Sequence, residues 1–155
     1  DNHRYRIEEE LSAPAVIQPE HFFGLMQRYT KDFIAQTDCS LLSLDKSEVL
    51  RLLDNYLIFR LNLLNSISMQ AQRMSHIPWR QQPSDIRQQF VNFLRLRCLT
   101  QAGRKVLRIT MEDLAQELHQ SRLNISRMLN VLQREGLLTM SRGIITVAQL
   151  EALRE

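Results

Sequence analysis

The sequence predicts a mainly α-helical chain with small β parts, and three observations carry that expectation. Apolar residues recur at helical spacing over most of residues 45–100, and the β-prone pieces are short and interrupted by proline and glycine. The C-terminal part reads as helix, turn, helix and hairpin. At 155 residues, 44% hydrophobic and 24% charged, the chain holds apolar material for one moderate core or two small ones.

Residues 1–46 contain β-prone pieces at 4–7, 15–18, 32–35 and 40–44, broken by Pro14, Pro19 and Gly24. Three or four short strands make a poor core alone, so they are expected to complete a barrel or sandwich whose other strands precede Asp1. The absence of an initiator Met points the same way. The run Glu8-Glu9-Glu10 imitates a carboxylate site, but adjacent side chains on a strand alternate sides, and these three are expected to be solvated.

Residues 47–78 are expected to form the linker and dimerisation helix. Asp45 or Ser47 caps a start, Glu48 follows in the first turn, the helical pattern runs to about Ile77, and Pro78 ends it. With Leu57 at a heptad a position, Leu57, Leu64 and Ala71 fall at a, and Arg60, Ile67 and Met74 at d. A second apolar set, Tyr56, Phe59, Leu63 and Ile77, lies beside the first, so one face packs on its own domain while the other meets a second copy. The alternative is a single helix buried in a monomer.

Residues 79–155 are expected to form a winged helix-turn-helix. A helix over 84–100 buries Ile86, Phe90, Phe93, Leu94 and Leu96 or Leu99, ends at Gln101-Ala102-Gly103, and gives way to a short strand at 105–109. Thr110 caps a helix over 111–118 whose first turn is acidic, which suits the positive end of the helix dipole. After a tight turn at His119-Gln120, Ser121 caps a second helix, at about 121–135, that buries Ile125, Met128, Leu129 and Leu132. Gly136 suits the left-handed position after its end, and 137–140, 141–143 and 144–147 read as strand, turn and strand.

At about 100° per residue, that second helix turns Leu123, Ser126, Arg127, Asn130 and Arg134 away from the core, with Arg122 at the flank. Arg grips guanine O6 and N7 with two hydrogen bonds, Asn and Ser contact adenine or phosphate, and a helix N-terminus attracts phosphate. The candidate DNA-binding set is therefore Thr110, Ser121, Arg122, Leu123, Asn124, Ser126, Arg127, Asn130 and, at the hairpin tip, Arg142. The alternative is the ordinary solvated face of a helical hairpin.

Charge supports the nucleic-acid reading. Residues 80–143 hold 11 Arg or Lys against 5 Asp or Glu, whereas the rest hold 9 against 12, so the basic surplus sits in the second half. No run reaches the roughly 20 apolar residues of a membrane helix, and the first residues do not read as an export signal. Cys39 and Cys98 lack zinc or disulfide-framework spacing, which fits a reducing cytoplasm. His3, His21, His76 and His119 are scattered, with no phosphate loop and no nucleophilic constellation, so no enzyme is expected.

The run from Ile109 through Leu118 and Ser121 to Leu138 resembles the C-terminal domain of the cyclic-AMP receptor protein and fumarate-nitrate reduction regulator (CRP/FNR) family. Upstream, Gly24 and the run from Thr37 to Lys46 resemble the last strands of that family's cyclic-nucleotide-binding-like barrel, and residues 47–77 resemble its short helix and long dimer helix. The resemblance implies a bacterial, homodimeric transcription regulator that reads a palindromic operator. Double-stranded DNA, a second copy and RNA polymerase are its partners, and no membrane is involved. Ser121, Arg122 and Arg127 match the family's recognition pattern, while Leu123 stands where an acidic base-reader is common. Leu25 replaces a ribose-binding Glu, and Tyr29-Thr30 replaces the Arg-Ser pair that holds a cyclic phosphate. Cyclic nucleotide binding is therefore not expected, and no cofactor is expected in this chain. A protein-interaction module whose winged helix no longer binds DNA is the rival reading.

Overall fold

The computed structural model describes residues 4–25, 28–29, 31–75 and 85–154, and the chain divides into two units, Pro14–His76 and Asp1–Ala13 with Ile77–Glu155. Among the described residues the order is β1 (Tyr5–Glu9), α1 (Lys46–Asn55), α2 (Leu57–Ser75), α3 (Ile86–Arg97), β2 (Lys105–Ile109), α4 (Met111–Glu117), α5 (Arg122–Arg134), β3 (Leu138–Ser141) and β4 (Ile144–Val147). Single 3-10 turns lie at Pro19–His21 and Glu151–Arg154. Among the described residues the fold is mixed α/β: five helices, an open four-stranded antiparallel sheet and a helix-turn-helix, without the expected barrel strands.

The sheet runs β1-β2-β4-β3, with Glu9 opposite Lys105 and Lys105 opposite Val147. The strand expected at 4–7 thus exists, but as the edge partner of β2 in the C-terminal unit, not as part of a barrel. Its charges explain the pairing, because the basic residues of β2 and its approach meet the acidic run. Arg108 Nε donates to Glu8 Oε1 at 2.9 Å, Lys105 Nζ to Glu9 Oε2 at 2.8 Å, and Arg104 Nη1 to Glu10 Oε1 at 3.0 Å. The three glutamates expected to be solvated are all in ion pairs.

The core of this unit forms where α3, α4 and α5 pack with β2, β3, β4 and the terminal 3-10 turn. Phe90, Leu94, Leu107, Leu114, Ile125 and Leu129 are fully buried there. In α3 the buried side is Phe90, Val91, Phe93 and Leu94, so Val91 joins the expected set, while Leu96 is exposed. The helix stops at Arg97 instead of running to Thr100. The backbone N–H groups of Leu99 and Thr100 donate to the Glu9 carboxylate, at 2.6 and 3.1 Å, rather than continuing the helical ladder. Gln101 Nε2 donates to the Arg95 carbonyl at 2.8 Å, satisfying one acceptor left at that end.

The other unit is built on α1 and α2. Asp45 caps α1 by accepting from the Glu48 N–H at 2.8 Å, and Tyr56, in extended backbone, breaks the helical run in two. The segments 15–18, 32–35 and 40–44, expected as strands, form none. A strand needs a neighbour to take its alternating N–H and C=O groups, and none of the three finds one among the described residues. Among the described hydrophobic residues of this unit only Val49 is buried. The expected helix end at Ile77 and Pro78, and the helix start near Ser84, lie outside the described residues.

Along α2, Phe59, Leu63 and Ile67 are half-buried, whereas Leu57, Leu61, Leu64 and Ala71 are exposed. Met74 belongs to α2, but its side chain lies outside the described residues. Leu57, Leu61, Leu64 and Ala71 lie four, three and seven residues apart along one side of α2, and Ile58 and Met69 are exposed beside them. No described helix is long and apolar enough to cross a membrane.

Candidate nucleic-acid interface

Helices α4 and α5 are set by reciprocal caps and by one glycine-free turn. Thr110 Oγ1 accepts from the Asp113 N–H at 3.1 Å and donates to Asp113 Oδ2 at 2.5 Å, so both capacities of its hydroxyl are used in starting α4. After Leu118 the chain reverses through His119, at φ 50, and the Gln120 N–H donates back to the Ala115 carbonyl at 2.9 Å. Ser121 Oγ accepts from the Asn124 N–H at 3.1 Å and starts α5. The two N-termini differ in charge: Glu112 and Asp113 occupy the first turn of α4, while the first turn of α5 carries no acidic residue and leaves its positive end open to an anion.

Ile125, Met128, Leu129 and Leu132 are the buried row of α5, as expected from spacing. On the opposite side Arg122, Leu123, Asn124, Arg127 and Asn130 are exposed, and Ser126 is half-buried. Asn130 Nδ2 donates to Ser126 Oγ at 3.5 Å. The helix ends as predicted at Gly136, φ 73, where the Leu137 N–H reaches the Leu132 carbonyl at 3.0 Å. Ser141 pairs with Ile144, so the hairpin turns on Arg142 and Gly143 alone. Gly143 supplies the positive φ of 68, its carbonyl accepts from the Ile109 N–H at 2.9 Å, and Arg142 is left exposed at the tip.

The arginines of this unit separate into two classes. Arg87 pairs with Glu135 at 2.9 Å and Arg104 with Glu10, while Arg6 and Arg108 share Glu8. Arg95 bonds Gln101, and Arg134 bonds the Asn130 carbonyl. Arg97 is held most tightly: it donates to the Tyr5 hydroxyl at 2.6 Å and to Glu117 at 3.0 Å, and its guanidinium lies 4.1 Å from the Phe93 ring centroid. Arg122, Arg127 and Arg142 have no hydrogen bond or ion pair among the described residues. Much of the basic surplus read from the sequence is thus neutralised by β1, and the uncommitted cations sit on α5 and the hairpin tip.

One basic residue near this surface was not legible in the sequence. Arg4, expected in a barrel strand, donates to Gln116 Oε1 at 2.8 Å and lines a shallow depression with Glu112, Gln116, His119 and Arg122. Only the pairing of β1 with β2 brings it there. In the other unit, Leu25 is fully exposed, and Tyr29 is exposed with its ring 6.4 Å from that of Phe33. Thr30 lies outside the described residues.

Residues 88–155 match the family described as the Crp-like helix-turn-helix domain, a span that runs from the body of α3 to the C-terminus and contains the whole α4–turn–α5 and hairpin assembly. No curated protein matches the chain closely enough to count as a relative. Residues 88–155 are thus similar to a Crp-like helix-turn-helix domain.

Proposed function

We propose that the chain acts as a homodimer that reads a palindromic operator, each copy placing α5 in the major groove of duplex DNA. The observation that carries this reading is the set of uncommitted arginines: Arg122 and Arg127 on the exposed side of α5, and Arg142 on the hairpin next to it. Elsewhere in the unit, described arginines have protein partners. A guanidinium left in water on a helix that starts with an open positive end suits a polyanion. Arg122 and Arg127 are assigned to guanine edges, and Arg142 to phosphate.

Thr110 and Ser121 take supporting roles, because their hydroxyls already hold the caps. Ser121, Asn124, Ser126 and Asn130 lie where polar side chains meet phosphates or adenine. The dimer reading rests on α2. Leu57, Leu61 and Leu64 form an exposed apolar stripe on a unit that buries almost nothing else, and a stripe of that kind is covered by a partner more often than left in water. A two-fold dimer then presents two recognition helices to inverted half-sites about one helical turn apart. Selection of bound duplexes from a random pool is the test. An inverted repeat of that spacing supports the proposal, and a pool that stays random contradicts it.

A further inference from the structure

Leu123 is the second residue of α5 and is 58% exposed. At about 100° per residue it stands nearly opposite the middle of the buried row Ile125, Met128, Leu129 and Leu132, within about 40° of Arg127 and Asn130. It is therefore at the centre of the face that Arg122 and Arg127 flank. A single exposed leucine is ordinary. One at the leading end of a recognition helix, between two uncommitted guanidinium groups, is placed to touch whatever they touch.

The size of the apolar spot narrows the ligand. Its nearest exposed neighbours on this face, Arg122, Asn124, Arg127 and Asn130, are all polar, and the exposed Val131 lies two turns away, so the spot is one side chain wide. The core of a protein interface is broader and depleted of charge. Base edges in the major groove present hydrogen-bonding groups with one apolar exception, the 5-methyl group of thymine. Against the edges of guanine, adenine or cytosine, a leucine would take donors or acceptors out of water without replacing their bonds. Thymine, whose methyl stands beside its single O4 acceptor, offers apolar surface to bury.

We infer that Leu123 is a specificity-determining residue that reads the 5-methyl group of a thymine in each operator half-site. The inference rests on the proposed entry of α5 into the major groove and adds a base that no arginine specifies. Leu123 and Arg127 are separated by one turn, about 6 Å along α5, which corresponds to about two base-pair steps of 3.4 Å. The thymine accordingly lies within about two base pairs of the guanine read by Arg127.

The test uses the full chain and duplexes selected from a random pool, with each thymine replaced in turn by uracil, which pairs identically and lacks only the methyl. One position in each half-site should lose roughly fourfold in affinity on this exchange, the factor that corresponds to burying one methyl-sized group. Leu123→Ala should bind thymine and uracil duplexes equally at that position, whereas Leu123→Met, which keeps the apolar contact, should retain the preference. Circular dichroism checks that both variants remain folded, and the uracil scan of the unaltered protein needs no variant at all. A sequence-selective protein that is indifferent to uracil everywhere overturns the role of Leu123 and leaves the proposed function standing. Persistence of the preference in Leu123→Ala assigns the methyl to another residue and also overturns it. A protein with no sequence preference overturns both.

Discussion

Lys105 Nζ lies 2.8 Å from Glu9 Oε2, and both side chains are almost out of solvent, Lys105 at 1% and Glu9 at 10% exposure. Thr100 Oγ1, 2.5 Å from the same ammonium, and the N–H groups of Leu99 and Thr100 complete the cluster. It fastens the N-terminal strand to the DNA-binding unit and fixes where α3 ends. Burial pushes the Glu9 carboxyl up, but the hydrogen bonds from Lys105, Leu99 and Thr100 outweigh it and hold the group below its ordinary value of 4.5.

The pair should therefore be costly to break on one side. Lys105→Met leaves a buried carboxylate without its cation and is expected to destabilise the unit by about 3–5 kcal/mol, while Glu9→Leu combined with Lys105→Met should recover most of that loss. Urea denaturation of the single and double variants measures the difference. Equal losses in the two would show that the charges are not coupled.

A pH dependence follows from the same carboxylate. Its folded-state pKa is lower than its unfolded one, so its contribution is fully present above the ordinary value of 4.5 and disappears as pH falls through the lowered folded value. Thermal midpoints measured from pH 6 downward should drop less steeply below about pH 4.5 in Glu9→Gln than in the unaltered protein. Parallel curves would remove Glu9 from the acid sensitivity.

His119 holds a left-handed backbone, φ 50, in the turn between α4 and α5, and its exposed imidazole has no hydrogen-bond partner among the described residues. A side chain there is strained against its own carbonyl, a cost that glycine does not carry. His119→Gly should raise stability by about 0.5–1 kcal/mol, or ~3–6 °C in the thermal midpoint, after the greater freedom of glycine in the unfolded chain is counted. A lower midpoint would mean that the imidazole makes a contact worth more than the strain.

The exposed stripe of α2 gives a separable prediction about assembly. Leu61→Glu or Leu64→Glu should shift the protein from dimer to monomer in sedimentation at micromolar concentration, while Ile67→Glu, on the half-buried side, should chiefly disturb its own unit. Dimers that survive both Leu substitutions would place the contact elsewhere.

Local chemistry made the C-terminal domain legible. The Thr110 and Ser121 caps, the Ile125–Leu132 spacing and Gly136 each depend on residues a few positions apart, and each stands in the structure where the pattern placed it. What escaped the sequence depends on distant partners. Nothing near Glu9 announces Lys105, and no period within α3 reveals that a carboxylate from β1 takes the amides of Leu99 and Thr100. The same distance misled the charge reading, because Arg104 and Arg108 look free until Glu10 and Glu8 are beside them. The segments 15–18, 32–35 and 40–44 have strand composition, but composition supplies no pairing partner. At the candidate site, spacing identified Arg122 and Arg127, whereas Arg4 arrived through sheet pairing alone.

Arg142 is distinguished from the arginines of α5 by what it can reach. On the hairpin tip it is assigned to the phosphate backbone, so Arg142→Ala should weaken binding to all duplexes to a similar degree and lower the slope of log affinity against log salt by about 1. A loss confined to the selected operator would make it a base reader.

Base reading by the uncommitted arginines of α5 is measured by fluorescence-anisotropy titration of Arg122→Ala and Arg127→Ala against the selected palindrome and a random duplex at several salt concentrations. Each two-pronged Arg–guanine contact is worth roughly 1–3 kcal/mol of discrimination, so each substitution should cost about one to two orders of magnitude on the palindrome and leave the weak, salt-sensitive binding to random DNA mostly intact. Equal losses on both duplexes would contradict base reading and make these two residues clamps on the phosphate backbone.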